Sequence, residues 1–343
     1  MKAVEFRWLN FLDKYKSSAK HNLSNSGLPE PDLKEMGIDA DYEEYLNDKT
    51  DHEAALRDAI AERYGVERDS VLITNGGTEA IFLASAFISI YSRRIIVPLP
   101  EYEPIFLVPE SLEREVERVK LENITRAADE RDSLSMSLPN NPTGKYSDIA
   151  EHINRVKDSY KYVYLDETFH DFIEDKNASI YDGSKNLIVS NTMTKFFGLS
   201  SLRVGWIVSH PENISGMRRL KDLTTINNAK FSLYLARKSL ERWEKFRKRA
   251  LDVVKRNAEI ALKEISEFGL YDDHYEGAPF LFVGDGKLRS EELTKKAVTD
   301  YGILVAPGSY FGLDGYLRVC LTSYEIRNDI DAFRTFAERE LKK

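Results

Sequence analysis

Between residues 71 and 222 the hydrophobic period of this chain switches back and forth, and that alternation constrains its fold more than any other feature. Short apolar runs occur at Val71–Thr74, Arg94–Pro98, Val116–Leu121, Leu134–Leu138, Tyr162–Asp166, Leu187–Asn191 and Val204–Ser209. Helix-period segments lie between them at 78–91, 102–112, 147–159 and 211–222. Several runs are apolar at consecutive positions rather than every second one, as expected of strands buried on both faces. Alternation of this kind implies an α/β fold of three layers, a mostly parallel seven-stranded sheet covered by helices.

The flanks read differently. Val4, Trp8, Leu9, Phe11, Leu12 and Tyr15 recur at helical spacing and predict an opening amphipathic helix, followed by an irregular stretch from His21 to Asp32. Residues 51–64 read as a helix capped by Thr50 or Asp51 and stopped by Gly65. Beyond residue 230 a long charged helix is expected over 232–267. A strand at Phe280–Val283, a helix near 290–301, strands at Ile303–Val305 and Tyr316–Leu321, and a final helix at 325–341 follow it. This grouping predicts a smaller α+β domain. The division expected is 42–230 for a large domain, with 1–41 and 231–343 together forming the small one. No Pro/Ser-rich linker separates them, so they should pack closely.

Composition excludes several function classes. With 49 basic and 57 acidic side chains in 343 residues, the net charge is −8 with signs interspersed, which leaves no electrostatic footprint for nucleic acid or anionic lipid. The single cysteine, Cys320, excludes an internal disulfide framework or a Cys-rich zinc site and fits a reducing compartment. Neither an uninterrupted apolar leader nor a membrane-length apolar stretch is present, so a cytoplasmic protein is expected. Familiar signatures fail as well. Pro139 stands where a P-loop ending in Gly144-Lys145 needs its first glycine, and Leu56 replaces the second histidine of a zincin pattern begun by His52-Glu53. No metal is expected.

Chemistry gathers instead at the carboxyl ends of the proposed strands, where open α/β sheets bind ligands. After 71–74 comes Asn75-Gly76-Gly77-Thr78 opening a helix, an anion cradle of free N–H groups at a positive dipole end. After 134–138 comes Pro139-Asn140-Asn141-Pro142-Thr143-Gly144, and Asp166 closes 162–166. After 187–191 come Thr192, Thr194, Lys195 and, eight residues on, Arg203. Each motif alone is as well explained by a tight turn or a surface charge. Together they supply a cradle, an amide, a carboxylate, a lysine and an arginine, which suits pyridoxal phosphate with its phosphate, phenolic oxygen, ring nitrogen and aldehyde. A lysine flanked by Phe196 and Phe197 should have a lowered pKa and be able to form a Schiff base.

The motifs GGTEA (76–80), PxxxY ending at Tyr102, NNPTG (140–144), LDE (165–167), TMTK (192–195), LRVG (202–205), PGSYFG (307–312) and LRV (317–319) resemble those of the class I/II aminotransferases of pyridoxal-phosphate fold type I, which include aspartate and histidinol-phosphate aminotransferases. The resemblance covers nearly the whole chain. It implies that Lys195 holds the cofactor covalently and then shuttles the substrate Cα proton, and that Asp166 pairs with the ring nitrogen. It further implies that Asn141 donates to the phenolic oxygen and contacts substrate, and that Tyr102 stacks on the ring. Gly77, Thr78, Thr192, Thr194 and Arg203 would bind the phosphate. Arg318 would clamp the substrate carboxylate, a task suited to a planar fork of donors. Gly27 falls where the N-terminal segment touches substrate. Tyr45, with Tyr42 close enough to compete, would reach the phosphate of a neighbouring subunit, implying a homodimer with shared sites.

One position departs from the family. Most members read DExY, whereas this chain has Asp166-Glu167-Thr168-Phe169, and Phe169 cannot donate to the phenolic oxygen. The missing hydrogen bond is worth roughly 1 kcal/mol in a buried polar site, so the lysine–cofactor linkage should be more basic than in tyrosine-bearing relatives. Phenylalanine here also occurs in relatives that decarboxylate threonine phosphate or cyclise hydroxyarginine. The segment LSNSG (23–27) likewise resembles the LSSSG of the cyclising branch. The resemblance implies an amino-acid:2-oxo-acid aminotransferase, with a histidinol-phosphate aminotransferase or a lyase, decarboxylase or cyclase of the same fold as alternatives.

Overall fold

The computed structural model describes residues 1–173, 179–271 and 274–341. Its centre is a seven-stranded sheet built from β2 (Val71–Thr74), β3 (Arg94–Leu99), β4 (Glu115–Lys120), β5 (Ser133–Ser137), β6 (Tyr162–Asp166), β7 (Leu187–Thr192) and β8 (Gly205–Ser209), in the order β2-β8-β7-β6-β5-β3-β4. Every pairing is parallel except the two made by β8.

The consecutive apolar runs have a direct explanation in the packing. Ile73, Ile96, Val163, Leu165, Val189 and Val208 face one buried cluster, while Leu72, Ile95, Tyr164, Ile188 and Ile207 face another. Successive side chains of a strand point to opposite faces, so a strand covered on both sides must be apolar at every position. The first face is covered by α3 (His52–Tyr64), α7 (Ser147–Val156) and α9 (Lys230–Leu240), and the second by α4 (Gly77–Tyr91), α5 (Glu103–Ser111) and α8 (Pro211–Asp222). Asp51 caps α3 by accepting from the Ala54 N–H at 3.1 Å, and Gly65 ends it in the left-handed conformation. Two shorter helices, α2 (Tyr42–Asn47) and α6 (Ile124–Ala127), were not anticipated.

The second lobe holds a three-stranded antiparallel sheet, β11 (Ala306–Pro307), β12 (Gly315–Cys320) and β9 (Phe280–Leu288), with α10 (Trp243–Ser266), α11 (Ser290–Tyr301) and α12 (Ile326–Glu340). The helix expected over 232–267 is in fact two, α9 and α10, broken at Glu241-Arg242. The break lets α9 and the first half of α10 pack into the large cluster through Leu233, Leu235, Phe246 and Val254, while Ala258, Ala261 and Ile265 enter the core of the second lobe.

N-terminal residues join that lobe. Strand β1 (His21–Asn22) pairs in parallel with β10 (Ile303–Leu304), and the Cys320 N–H donates to the Leu23 carbonyl. Helix α1 (Arg7–Tyr15) starts three residues later than the apolar spacing from Val4 suggested. It packs Trp8 and Phe11 on Leu304, Tyr310 and Phe311. No helix among the described residues is long and apolar enough to cross a membrane.

Candidate active site

Register along the sheet rim assembles the site. Thr74 and Thr192 both pair with Gly205, and Ser137, Asp166 and Ser190 lie side by side. The turns following β2, β5, β6 and β7 therefore open into one cavity of about 330 Å³ between the lobes. Gly77, Thr78, Tyr102, Asn141, Asp166, Thr192, Thr194, Lys195, Arg203 and Arg318 all line it.

At one end Gly76 begins α4 with a φ of 79° and no side-chain cap, leaving the first N–H groups of the helix facing the cavity at Gly77 and Thr78. A Cβ on Gly76 would come within 2.7 Å of the Arg203 guanidinium, so glycine is needed for the two to meet. Arg203 is itself left-handed at φ 53°, a strained conformation that aims its side chain at the cradle. The Thr192 and Thr194 hydroxyls lie 2.9 Å apart beside it. Arg203 forms no ion pair among the described residues.

At the other end, Asp166 is buried and accepts from the Thr168 hydroxyl at 2.6 Å and the Ser190 hydroxyl at 3.3 Å. Burial pushes its carboxyl up despite these donors. Lys195 is half-buried in the cavity wall, and burial, with the Arg318 charge adding to it, brings its amine down to about 8.

Arg318 reaches the cavity because β12 alternates. Leu317 and Val319 enter the core of the second lobe, and Arg318 points the other way, 2% exposed. Its Nη1 donates to Asn141 Oδ1 at 2.7 Å and its Nη2 to the Ser24 carbonyl at 3.3 Å, while Nε has no hydrogen-bond partner among the described residues. The rings of Phe311, Phe280 and Trp8 surround it at 4.9, 5.4 and 5.9 Å. No carboxylate pairs with it among the described residues.

Two of the expected site residues lie outside the cavity wall. Gly27 packs behind Lys195, where a Cβ would come within 3.2 Å of the lysine Cδ and 3.1 Å of the Thr194 carbonyl. It shapes the lysine's seat rather than the cavity lining. Tyr45 sits in an aromatic cluster with Tyr42, His52, Phe231 and Tyr234, and does not line the cavity of its own chain. Phe169 does line it, buried and edge-on to Phe280 at 4.9 Å.

Sequence reasoning missed the roof. Trp8, Leu12 and Lys16 project into the cavity from α1 and the residue that ends it, and Asn22, Ser24, Asn25 and Ser26 from the segment after it. The spacing of four between Trp8, Leu12 and Lys16 marks one face of a helix, but nothing local says that this face covers a site. Thr168 was missed too, although a hydroxyl two residues after a strand-end aspartate is a detectable signal.

Comparison with known proteins agrees with this geometry. A family model described as aminotransferase class I and II matches residues 25–333. A histidinol-phosphate aminotransferase of Carboxydothermus hydrogenoformans is 30% identical over 285 residues, covering 77% of this chain and 75% of the relative. Among solved structures, a PLP-dependent aminotransferase from Streptococcus suis 89-1591 superposes with a TM-score of 0.89 at 22% identity, covering 99% of both chains. A PLP-dependent cyclase, OrfR, superposes with a TM-score of 0.85 at 19% identity, covering 99% of this chain and 98% of the other. Both superpositions speak to the fold.

Proposed function

Because this chain belongs to the class I and II aminotransferases, we propose that it moves an amino group from an α-amino acid to a 2-oxo acid in the cavity beneath α1, working as a homodimer. It is a pyridoxal-phosphate-dependent aminotransferase, and the residues present fit that cofactor. The α4 N-terminus, Thr192, Thr194 and Arg203 form an anion cradle at one end, Asp166 is a buried carboxylate with no ion pair among the described residues at the other, and Lys195 lies between. When bound, pyridoxal phosphate supplies an aldehyde carbon for an amine to join and a ring that takes up the electrons left when the substrate Cα loses its proton.

The remaining chemistry belongs to the side chains. Gly77, Thr78, Thr192, Thr194 and Arg203 hold the phosphate. Asp166 keeps a proton on the ring nitrogen, which its buried position makes worthwhile because each partner relieves the other's charge. With its Oδ1 engaged by Arg318, Asn141 has its NH2 free to donate to the phenolic oxygen. Tyr102 covers a ring face. Lys195, with an amine brought down to about 8, spends enough time neutral near pH 7 to take the Cα proton and return it elsewhere. Tyr45 reaches the phosphate of the partner subunit.

The observation that carries the reading is Arg318. A buried guanidinium with an empty Nε and no carboxylate of its own is costly unless an anion completes it. The α-carboxylate of an amino acid meets that need bidentately. A second reading has support from the Carboxydothermus relative, in which the anion is the phosphate of histidinol phosphate.

The test is single-turnover mixing of the yellow holoenzyme with a panel of amino acids and with histidinol phosphate. At least one donor should bleach the visible band, and a 2-oxo acid should restore it. A silent panel, or bleaching that no oxo acid reverses, would overturn the assignment in favour of a lyase, decarboxylase or cyclase.

A further inference from the structure

Glu101 follows the turn after β3, immediately before Tyr102, and is completely buried. No cation pairs with it among the described residues. Its Oε1 accepts from the Ser137 hydroxyl at 2.6 Å and the Tyr102 N–H at 2.7 Å, while Oε2 accepts from the Ser137 N–H at 2.8 Å and the Asn140 amide at 3.4 Å. Every neighbour is a donor. An ionised carboxylate, which only accepts, is the one side chain that satisfies such a set.

The consequence runs on through Ser137. Its hydroxyl proton is committed to Glu101, so its lone pairs face the other way and accept the Asn141 N–H at 2.8 Å. Asn141 in turn accepts from Arg318 at 2.7 Å. A single carboxylate therefore ties the backbone of Tyr102 to the strand-end turn that carries Asn141, the two residues that would contact the cofactor ring.

We propose that Glu101 is a positioning residue of the active site, holding the Asn141 amide and the Arg318 fork in place through the Ser137 hydroxyl. This rests on the roles assigned above to Asn141 and Arg318 and adds the group that orients them. Simple structural capping would not require an acid, since the price of burying one is high and a neutral acceptor could serve a single N–H. Burial, with the Asp166 charge adding to it, pushes the Glu101 carboxyl up to about 8 against the pull of the Ser137 hydroxyl and of the Ser137 and Tyr102 N–H groups, so the full donor set is satisfied only once the carboxyl has given up its proton. The residue is thus held close to the balance at which its charge matters.

Glu101→Gln is an informative variant. Whichever way the amide turns, its NH2 faces either the Tyr102 N–H or the Ser137 N–H, so one backbone donor loses its acceptor. Ser137→Ala removes the relay hydroxyl and leaves the carboxylate. The experiment is a double-mutant cycle of these two changes in the holoenzyme, reading the pH midpoint of the visible cofactor absorbance together with KM and kcat for a reactive amino acid.

Each single variant should shift the midpoint in the same direction and raise KM about tenfold, with a smaller effect on kcat. The double variant should be no worse than the more affected single one. Additive effects, or variants that lose thermal stability while keeping the parent midpoint and KM, would overturn the proposal. Should Glu101→Gln fail to hold cofactor, Ser137→Ala decides alone, with a shifted midpoint supporting the relay and an unchanged one ending it. A parent without a visible band would instead overturn the cofactor reading itself, and this proposal with it.

Discussion

Arg318 and Asn141 stand 177 residues apart in sequence and are joined by a buried hydrogen bond of 2.7 Å, Nη1 to Oδ1, that spans the two lobes. Asn141 comes from the turn after β5 and Arg318 from the small sheet, so the bond links the group expected on the cofactor to the group expected on the substrate. Arg318→Lys keeps the charge and loses the planar fork. It should raise KM for the amino donor by about 10- to 100-fold, as expected for one lost charge-assisted hydrogen bond. Steady-state kinetics checks this, and an unchanged KM would remove Arg318 from substrate binding.

Loading of the apoprotein should report the Lys195 amine. Only the neutral amine attacks an aldehyde, and burial brings this one down to about 8 from an ordinary 10.5. The rate at which pyridoxal phosphate turns the apoprotein yellow should therefore rise with pH through a midpoint near 8. A rate still climbing steeply above pH 10 would show an unshifted lysine.

Phe169→Tyr should lower the pH midpoint of the visible absorbance. The Phe169 ring lines the cavity, and a hydroxyl at its tip would add a donor to the phenolic oxygen. That donor competes for the charge that otherwise holds a proton on the neighbouring nitrogen. A difference of roughly 1 kcal/mol corresponds to just under one pH unit. Spectrophotometric titration of both proteins would expose an absent shift.

Tyr45 can be tested by hybrid dimers of Lys195→Ala and Tyr45→Phe chains. If Tyr45 serves the partner's site, one site of the hybrid carries both lesions and the other is intact, so activity exceeds that of either parent. If it serves its own chain, one site lacks the lysine and the other lacks the tyrosine hydroxyl, and no recovery occurs.

Glu103 anchors the roof. Its Oε2 accepts the Trp8 N–H at 2.8 Å and so caps α1, whose own N-cap residue Phe6 offers no side-chain bond. Burial raises its carboxyl from 4.5 to about 7. A raised carboxyl contributes stability that is fully present below 4.5 and is lost as pH rises through 7, because the fold then holds a buried charge. Glu103→Gln lacks that loss. The variant's denaturation midpoint should therefore gain on the parent's between about pH 4.5 and 7, and parallel pH profiles would contradict this.

Much was legible before the fold was known. Alternating periods specify the central sheet because strands covered on both faces must be apolar throughout, and Val71–Thr74 and Tyr162–Asp166 match the observed strands residue for residue. Lys195, Asp166 and Arg203 were readable because strand ends of such a sheet share one rim, which makes sequence motifs into neighbours. The break at Glu241-Arg242 was not readable, since a helix pattern that stays amphipathic across a bend carries no local stop signal.

The chain's linear order determined its layers, its strand-end chemistry and the kind of cofactor that chemistry suits, all of which depend on local period and residue type. Tertiary structure alone decided that the Trp8 face of α1 roofs the cavity, that Gly27 seats Lys195, and that Glu101 is joined to Asn141 through Ser137. These are contacts between segments far apart in sequence. They are fixed by how two lobes bury their apolar faces against each other, and no window of neighbouring residues contains that information.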